Sequence, residues 1–491
     1  MHKRKISGKG WIGLIISMVT LCPVLAHAET DAVLRIETSD DRAAITYLSW
    51  DTEGGNRASM NLLRAPLTIQ FEKAEHWKSA GLDKQESLGN NHVLYHVAGP
   101  DKTIIRWDIR PENDTLNMTF TGPVPANARI VFLFDARTAA TTVFPAKWNE
   151  DNSLQIPAII SAPDFGQMIL RCREHPALRG RLEGSRKDHT VDFIVELPEL
   201  RESETCTMRF EPVRLAMPEG FHNEEQWRQA RRGWFNMFQP SARWGEQGRP
   251  FSAPPGILSN NVISDPVSCL ISLYADQAFF TPKACPEVSI ADHVRRTVDY
   301  WLLHKMRSSG EIVAYWDYGD MLDANASPIT AAWDYVESTG DRAWLEQRIE
   351  RLEFVADYLA KRDLNKDGLV ECTHSGNYGT LIDPARSASA YDTINAGYHD
   401  AYSNELTYRA WRCLADLENK LGRKQQQARF TELANRLKEV FFKTFYDPQT
   451  GWLVWWESED GEKHNLASPM INSMAVEYGL LDKDKARDIL N

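Results

Sequence analysis

The apolar residues of this chain follow two different periods, and the change between the two falls near residue 218. From about residue 30 to about residue 215, apolar and polar residues alternate over short runs, most clearly in 116–120 and 191–197. Such alternation is typical of half-buried β-strands. Turn residues separate the runs, for example at 54–56. Many short strands joined by turns predict an antiparallel β-sandwich, which we place at residues 29–218.

From Asn223 onward the apolar period is helical. Within 341–359, for instance, Trp344, Ile349 and Leu352 fall on one stripe of a helix. The expected helices are one opening at Asn223, then 265–280, 289–307, 328–338, 341–361, 401–421, 424–445 and 468–478, and a last one from Asp482.

The loops between these helices have unequal lengths, and the long ones carry glycine, aspartate and aromatic residues. This asymmetry favours an (α/α)6 toroid over residues 219–491, with the long loops lining one mouth. Six hairpins need twelve helices, whereas the sequence shows roughly nine and stops at Asn491 inside a helical pattern. We therefore expect a multidomain β + α chain whose toroid is truncated or lacks its last helices, the alternative being an ordinary ragged terminus.

The N-terminus has the form of a secretory signal peptide. Four basic residues within the first nine positions precede a mostly apolar stretch at 11–25, and residues 26–28 have the small-x-small form of a cleavage site. The apolar stretch is short for an uncleaved membrane anchor. Residues 1–28 are thus expected to be removed, which predicts a secreted or periplasmic protein with no membrane association afterwards.

The charge balance bears on the partners of the chain. Residues 1–28 hold four basic and no acidic side chains, so their removal changes the formal net charge from −12 to −16. A protein this acidic does not track the phosphate backbone of a nucleic acid, which needs stripes of lysine and arginine. A neutral carbohydrate is the partner that we expect.

Six cysteines remain after the expected cleavage: Cys172, Cys206, Cys269, Cys285, Cys372 and Cys413. An even number in an exported chain permits disulfides, and Cys172–Cys206 and Cys269–Cys285 are the nearest pairs along the sequence. Six buried free thiols in a large core are an equally good interpretation.

Several segments after residue 235 occur in a familiar order. They are 338–341 before a helix that contains tryptophan, the turn at 362–371, the helix opening at 404–410, and the later 447–452 and 475–480. Together they resemble the six-hairpin glycosidase superfamily, whose (α/α)6-barrel enzymes include trehalases and the glucosidase domains of glycogen-debranching enzymes. The resemblance implies a glycoside hydrolase that acts on a neutral oligo- or polysaccharide by an inverting mechanism, with no cofactor and no metal.

The loop and helix at 391–411 hold the expected general acid. Glycoside cleavage needs one protonated carboxyl group beside the leaving oxygen and a second carboxylate opposite it. Asp392 is the first candidate for the acid, although the family usually has a tryptophan where Tyr391 stands. Asp400 is a second candidate, with an N-cap of the following helix as the alternative role. Asp383 is a third, although the proline after it favours a turn.

The loops at 315–325 and 374–379 are candidate sugar contacts, because aromatic rings stack on sugars and carboxylates accept their hydroxyl groups. The alternative for the first loop is a solvated turn. His399 is a further candidate, with a histidine already hydrogen-bonded within the protein as the alternative. The predicted substrate-binding residues are Trp316, Asp317, Tyr318, Asp320, Tyr378 and His399.

Two motifs receive weaker interpretations. Residues 363–371 match the first half of a calcium-binding EF-hand loop, but position 12, which should be glutamate, is His374. We interpret the segment as a tight turn between helices. The alternating residues 451–456 predict a short hairpin, and Glu457 after them is the one carboxylate there that we consider as the catalytic base.

Other functions fit the same residues. A phosphorylase would use phosphate in place of water, and a catalytically silent protein would bind glycans and release nothing. A toroidal lyase fits least, because the chain shows no evident basic site for a uronate.

Overall fold

The computed structural model of the chain describes most of residues 33–490. The described ranges are 33–54, 60–73, 75–89, 91–100, 102–135, 142–162, 164–185, 190–237, 266–313, 320–377, 394 and 396–490. The expected signal peptide therefore lies outside the described residues. Long strands occupy the chain up to Pro212, and helices predominate from Glu224 onward. The change of period in the sequence is thus a change of secondary structure.

The first part of the chain is built from antiparallel strands. They are β1 (Val33–Thr38), β2 (Ile45–Asp51), β3 (Ile69–Lys73), β4 (His76–Ser79), β5 (Gly81–Gly89), β6 (His92–Ala98), β7 (Ile104–Glu112), β8 (Thr115–Thr121), β9 (Ala128–Phe134), β10 (Thr142–Trp148), β11 (Leu154–Ala162), β12 (Gly166–Cys172), β13 (Arg179–Ser185), β14 (Thr190–Glu196) and β15 (Thr205–Pro212). The predicted alternation is confirmed in β7, where Ile105, Trp107 and Ile109 are buried and Arg106 and Arg110 are exposed.

The predicted antiparallel β-structure is confirmed, and most of its strands share one hydrogen-bonded sheet, while the predicted sandwich arrangement stays a prediction. Thirteen strands join in the order β4-β3-β9-β14-β13-β11-β12-β15-β8-β7-β6-β5, with β10 also on β11, while β1 pairs with β2 alone. The long strand β11 makes the connection, because Leu154 and Gln155 pair with β13 whereas residues 158–162 pair with β12. Alternation in a sequence shows which face of a strand is buried, but it does not show which strands are neighbours.

Most buried side chains of the strands form one apolar cluster that extends from Ile36 to Phe210, whereas Phe144, Ile159 and Ile169 pack into the core of the helical part. Two of the predicted cysteine partners lie inside it on neighbouring strands. The sulfur atoms of Cys172 and Cys206 are 3.4 Å apart, and both are free thiols. Cys285, Cys372 and Cys413 are also buried free thiols, while the side chain of Cys269 lies outside the described residues.

The second part of the chain is mainly helical. Its helices are α1 (Glu224–Met237), α2 (Pro266–Phe279), α3 (Thr281–Ala284), α4 (Ala291–His304), α5 (Leu322–Thr339), α6 (Arg342–Ala360), α7 (Ala401–Leu421), α8 (Lys424–Phe445), α9 (Pro469–Glu477) and α10 (Lys483–Leu490). Its short strands are β16 (His399–Asp400), β17 (Tyr446–Asp447), β18 (Trp452–Leu453), β19 (Trp456–Glu457) and β20 (Lys463–His464).

The helices of this part of the chain differ in how much of their surface is buried. Fourteen of the eighteen residues of α5 and fifteen of the twenty-one of α7 are buried, and these two helices pack against each other. By contrast, α8 buries a narrow stripe that includes Phe430, Ala434, Leu437 and Phe441, as an outer helix does. No helix among the described residues is long and apolar enough to cross a membrane.

Helix α5 begins six residues before the predicted start at Pro328. A start at Pro328 agrees with the preference of proline for the first turn of a helix. The buried residues from Leu322 to Ser327 extend the helix backwards and place Pro328 in its interior. The helix ends at Thr339, one residue after the predicted end, because Gly340 adopts a left-handed conformation (φ 70°). The Asp341 side chain then accepts the Trp344 N–H at 3.0 Å and caps the next helix.

Strand β10 and helix α4 join the two parts of the chain. The Asp292 carboxylate accepts the backbone N–H of Trp148 at 2.8 Å, and the Trp148 indole donates to Nε2 of His293 at 3.2 Å. Burial lowers the pKa of His293 to about 4, which keeps the imidazole neutral and able to accept that bond. The guanidinium group of Arg296 lies over the Trp148 ring.

Candidate functional site

The N-terminal ends of the inner helices α5 and α7 meet at Cys372. This thiol is 4% exposed. Burial is the main cause that raises its pKa, and the nearby carboxylates of Asp400 and Asp323 raise it further. Asp323 lies in the first turn of α5, and Asp400 is the residue before α7. Polar side chains from separate parts of the sequence therefore gather at one end of the helix pair.

Asp400 is the N-cap of α7, as one of its two predicted roles required. One carboxylate oxygen accepts the backbone N–H of Ser403 at 3.0 Å and its hydroxyl at 2.5 Å. The residue is fully buried, and burial raises its pKa to about 6 although the bonds from Ser403 lower it. A carboxyl group with this pKa exchanges a proton near neutral pH. The predicted catalytic role of Asp400 stays a prediction.

Asn404, one turn into α7, holds the loop that precedes the site. Its side chain accepts the Val370 N–H at 2.8 Å and donates to the Val370 carbonyl at 3.0 Å. Glu371 beside it is fully buried, and its carboxylate accepts the backbone N–H groups of Leu364 at 2.6 Å and Asn365 at 3.3 Å. Residues 363–371 thus form a closed turn of the kind that the sequence predicted.

The backbone brings Gly376 and Gly397 into contact at the edge of this site. The Cys372 N–H donates to the Tyr398 carbonyl at 2.8 Å, and the Tyr398 N–H donates to the His374 carbonyl at 2.6 Å. A Cβ atom on Gly397 would lie 2.5 Å from the backbone nitrogen of Gly376. The chain therefore leaves the described residues at 377 and returns at 394 and 396 close to the same point.

We expect the Gly397→Ala substitution to damage activity more than stability. The added Cβ meets backbone atoms, which must shift, and such overpacking costs about 1–3 kcal/mol. A displacement of about 1 Å at a reacting site lowers the rate by about 100-fold. Thermal unfolding and turnover of the variant measure the two effects. Gly233→Ala, where a Cβ meets nothing within 4 Å, is the matched control. Unchanged turnover in Gly397→Ala would show that this contact does not shape the site.

His399 lies at the centre of a cluster of carboxylates. The residue is buried, with 4% of its surface exposed. Nε2 is 3.3 Å from an oxygen of Asp367 and 3.7 Å from an oxygen of Glu371, and Nδ1 is 3.8 Å from an oxygen of Glu457. Strand pairing places Glu457 there, because His399 and Glu457 are opposite each other in β16 and β19. Asp367, Glu371 and His399 could together hold a metal ion.

The predicted sugar-binding loop at 315–325 follows Glu311, and the structure describes it from Asp320 onward. One oxygen of the buried Glu311 carboxylate accepts the Asp320 N–H at 2.7 Å, and the other accepts from Arg307 at 2.8 Å. The Asn325 side chain accepts the Ile312 N–H at 2.6 Å. Asp320 itself is exposed, with a left-handed backbone (φ 62°).

The structure thus describes three of the predicted site residues, Asp320, His399 and Asp400. The others lie outside the described residues: Trp316, Asp317, Tyr318, Tyr378, Asp383 and Asp392. Sequence reasoning missed the positioning side chains Glu311, Asn325 and Asn404. Their amide and carboxylate groups close loops onto distant backbone, and no local pattern signals such a contact. The predicted hairpin around 451–456 is present as short strands, and its Trp455 and Trp456 are buried.

Comparison with known proteins defines the class of this domain. Residues 312–489 match the family described as the bacterial alpha-L-rhamnosidase six-hairpin glycosidase domain. The match of these residues confirms the resemblance to the six-hairpin glycosidase superfamily, a class of glycoside hydrolases. Within that superfamily, residues 312–489 match the rhamnosidase family. A search of curated protein sequences finds no match to the chain.

Several solved structures resemble the chain at low identity. A GH78 family rhamnosidase of Bacillus sp. GL1 is 12% identical to this chain. The similarity covers 78% of this chain and 38% of the rhamnosidase chain, with a TM-score of 0.42. An alpha-L-rhamnosidase from Dictyoglumus thermophilum is 14% identical over 83% and 40%, with a TM-score of 0.36. A rhamnosidase from Klebsiella oxytoca with rhamnose bound is 13% identical over 94% and 79%, with a TM-score of 0.40. The chain spans about two fifths of the length of the first two.

Proposed function

We propose that this protein is an exported glycoside hydrolase that acts on a neutral oligo- or polysaccharide, with a terminal α-L-rhamnosyl unit as the first sugar to test. The match of residues 312–489 to the rhamnosidase six-hairpin domain carries the proposal. The apolar stretch near the N-terminus supports export to the periplasm or the medium. The acidic composition agrees with a partner other than nucleic acid.

The fold that we propose for the helical part is a closed (α/α)6 ring. Its support is the alternation of inner and outer helices. The packed neighbours α2, α5, α7 and α9 form an inner row, while α4, α6 and α8 flank it. Such a ring presents the N-terminal ends of α5 and α7 at one mouth, where Cys372 and Asp400 lie.

Asp392 is the residue that we propose as the general acid. Its support is the placement of the described residues on either side of it, because Asn377 and Ala396 both adjoin the Gly376–Gly397 contact at the site. Protonated Asp392 would donate to the leaving oxygen, and a carboxylate later in the barrel would activate water for an inverting displacement. Trp316, Asp317, Tyr318 and Asp320 would hold the sugar.

The test is sugar release by the purified protein from a panel of neutral aryl α- and β-glycosides that includes an aryl α-L-rhamnoside. We expect release without added phosphate, and NMR detection of β-L-rhamnose as the first product, because inversion changes the anomeric configuration. Release that requires phosphate would instead indicate a phosphorylase. Binding measured by calorimetry without release from any substrate of the panel would favour a silent glycan-binding protein.

A further inference from the structure

We propose that Asp367, Glu371 and His399 bind a divalent transition-metal ion of the zinc type. One ligand atom from each of the three lies within 4.8 Å of the other two. In a tetrahedral site with bonds of about 2.1 Å, two ligand atoms are roughly 3.4 Å apart. The distances from Nε2 of His399 to the carboxylate oxygens, 3.3 Å for Asp367 and 3.7 Å for Glu371, fit that spacing.

The buried imidazole independently indicates a ligand. Only 6% of the His399 side chain is exposed, and neither ring nitrogen forms a hydrogen bond with any residue that the structure describes. Buried polar groups are normally paired with protein, water or metal. Nε2 lies 3.3 Å and 3.7 Å from oxygens of two carboxylates, and a metal ion could bind the nitrogen together with both oxygens. The rival state is a protonated imidazolium that pairs with both carboxylates and needs no metal.

The donor set favours a transition metal over calcium. Calcium and magnesium prefer oxygen ligands, whereas zinc, manganese and cobalt accept one imidazole together with carboxylates. In the calcium motif of the sequence, the first carboxylate, Asp363, pairs with Arg436, and the twelfth position is His374 in place of glutamate. The Asn365 oxygen accepts the Asp367 N–H at 2.9 Å.

The second ring nitrogen of His399 also lies near a carboxylate. Nδ1 of His399 faces a carboxylate oxygen of Glu457 at 3.8 Å. A carboxylate on the far nitrogen fixes the tautomer and the ring orientation of a histidine ligand. In that arrangement Nδ1 carries the proton and Nε2 is free to bind the ion.

The proposed ion would connect three separate segments of the chain. Asp367 and Glu371 lie in the turn after α6, His399 lies in β16, and Glu457 lies in β19. Without an ion, three carboxylates surround one imidazole. A bound ion would link the turn to β16 beside the Gly376–Gly397 contact. The metal would thereby hold these segments of the candidate site in position. This role goes beyond glycoside hydrolysis and does not depend on it.

The test is metal binding by the full chain after treatment with a chelator and dialysis. Zinc is added in competition with a chromophoric chelator, and cobalt is added to record its visible spectrum. We expect one equivalent of zinc to bind, with a rise in the thermal midpoint. In Asp367→Asn the affinity should fall by more than the roughly 10- to 100-fold loss that follows removal of an outer carboxylate partner. In Glu457→Gln the zinc affinity should fall by an amount within that roughly 10- to 100-fold range.

Asp367 suits the test because its side chain is 40% exposed and its replacement leaves the core intact. His399→Gln is the second variant, and His304→Gln, on the exposed face of α4, is the matched control with unchanged affinity. The proposal is overturned if wild type binds no zinc, which would favour the imidazolium pair. It is also overturned if Asp367→Asn and His399→Gln bind as wild type does.

Discussion

Asp392→Asn is expected to lower kcat by about 100- to 10,000-fold, because asparagine cannot give a proton to the leaving oxygen. The loss should depend on the leaving group. An aryl glycoside with a strongly acidic phenol needs little protonation, whereas an alkyl or disaccharide substrate needs it fully. Steady-state kinetics on both kinds of substrate would measure the difference. A loss confined to the poor leaving group identifies the general acid more firmly than a loss of activity alone.

Asp400→Asn and Asp383→Asn are the controls in the same assay. Asparagine is as good an N-cap as aspartate, so Asp400→Asn keeps the acceptor for the Ser403 N–H and should turn over nearly as fast as wild type. If Asp392→Asn retains activity while Asp400→Asn or Asp383→Asn loses it, the general acid is the residue whose replacement abolishes activity. Unfolding curves on all three variants separate a lost proton donor from a lost fold.

The second large effect concerns the stability of the protein and its dependence on pH. Burial raises the pKa of Asp400 to about 6 from an ordinary value of 3.8. Between these values the folded chain keeps a proton that the unfolded chain releases, so the contribution to stability is complete below about pH 4 and is lost as the pH rises through about 6. A shift of about two pKa units corresponds to about 3 kcal/mol.

Asp400→Asn removes this titration and keeps the helix cap. Its free energy of unfolding, compared with that of wild type, should therefore rise by about 3 kcal/mol from pH 4 to pH 8. Asp400→Ala also lacks the titration but leaves Ser403 without its acceptor, so it should be less stable than Asp400→Asn by about 1–3 kcal/mol at every pH. Denaturant unfolding at pH 4, 6 and 8 measures both differences. Parallel pH profiles for wild type and Asp400→Asn would contradict the burial of this carboxylate.

Much of the local structure could be predicted from the sequence. The alternation in β7, the stripe of α6 and the turn at Gly340 and Asp341 each depend on residues within a few positions of one another. The dual interpretation of Asp400 was also available, because an aspartate before a helix is a common cap. The start of α5 was predicted wrongly, since burial against the neighbouring helix outweighed the local preference of Pro328.

The sequence predicted several residues of the candidate site but not how these residues are arranged in space. His399 and Asp320 were expected near a sugar, but nothing in the sequence near His399 indicates that Glu371 and Glu457 flank it. Asn404 was part of a familiar helix opening, while its bonds to Val370 depend on how α7 meets the preceding loop. These contacts join residues about 30 to 60 positions apart.

The sequence by itself determined the order of strands and helices, their caps and turns, and the superfamily of the helical part. These features follow from periodicity and from interactions between near neighbours in the chain. The tertiary structure alone decided that thirteen of the strands form one sheet, that the ends of α5 and α7 converge at Cys372, and that His399 lies among carboxylates. The physical reason is that strand register and helix packing are decided by burial across the whole fold, which brings distant residues together without any trace in the local pattern.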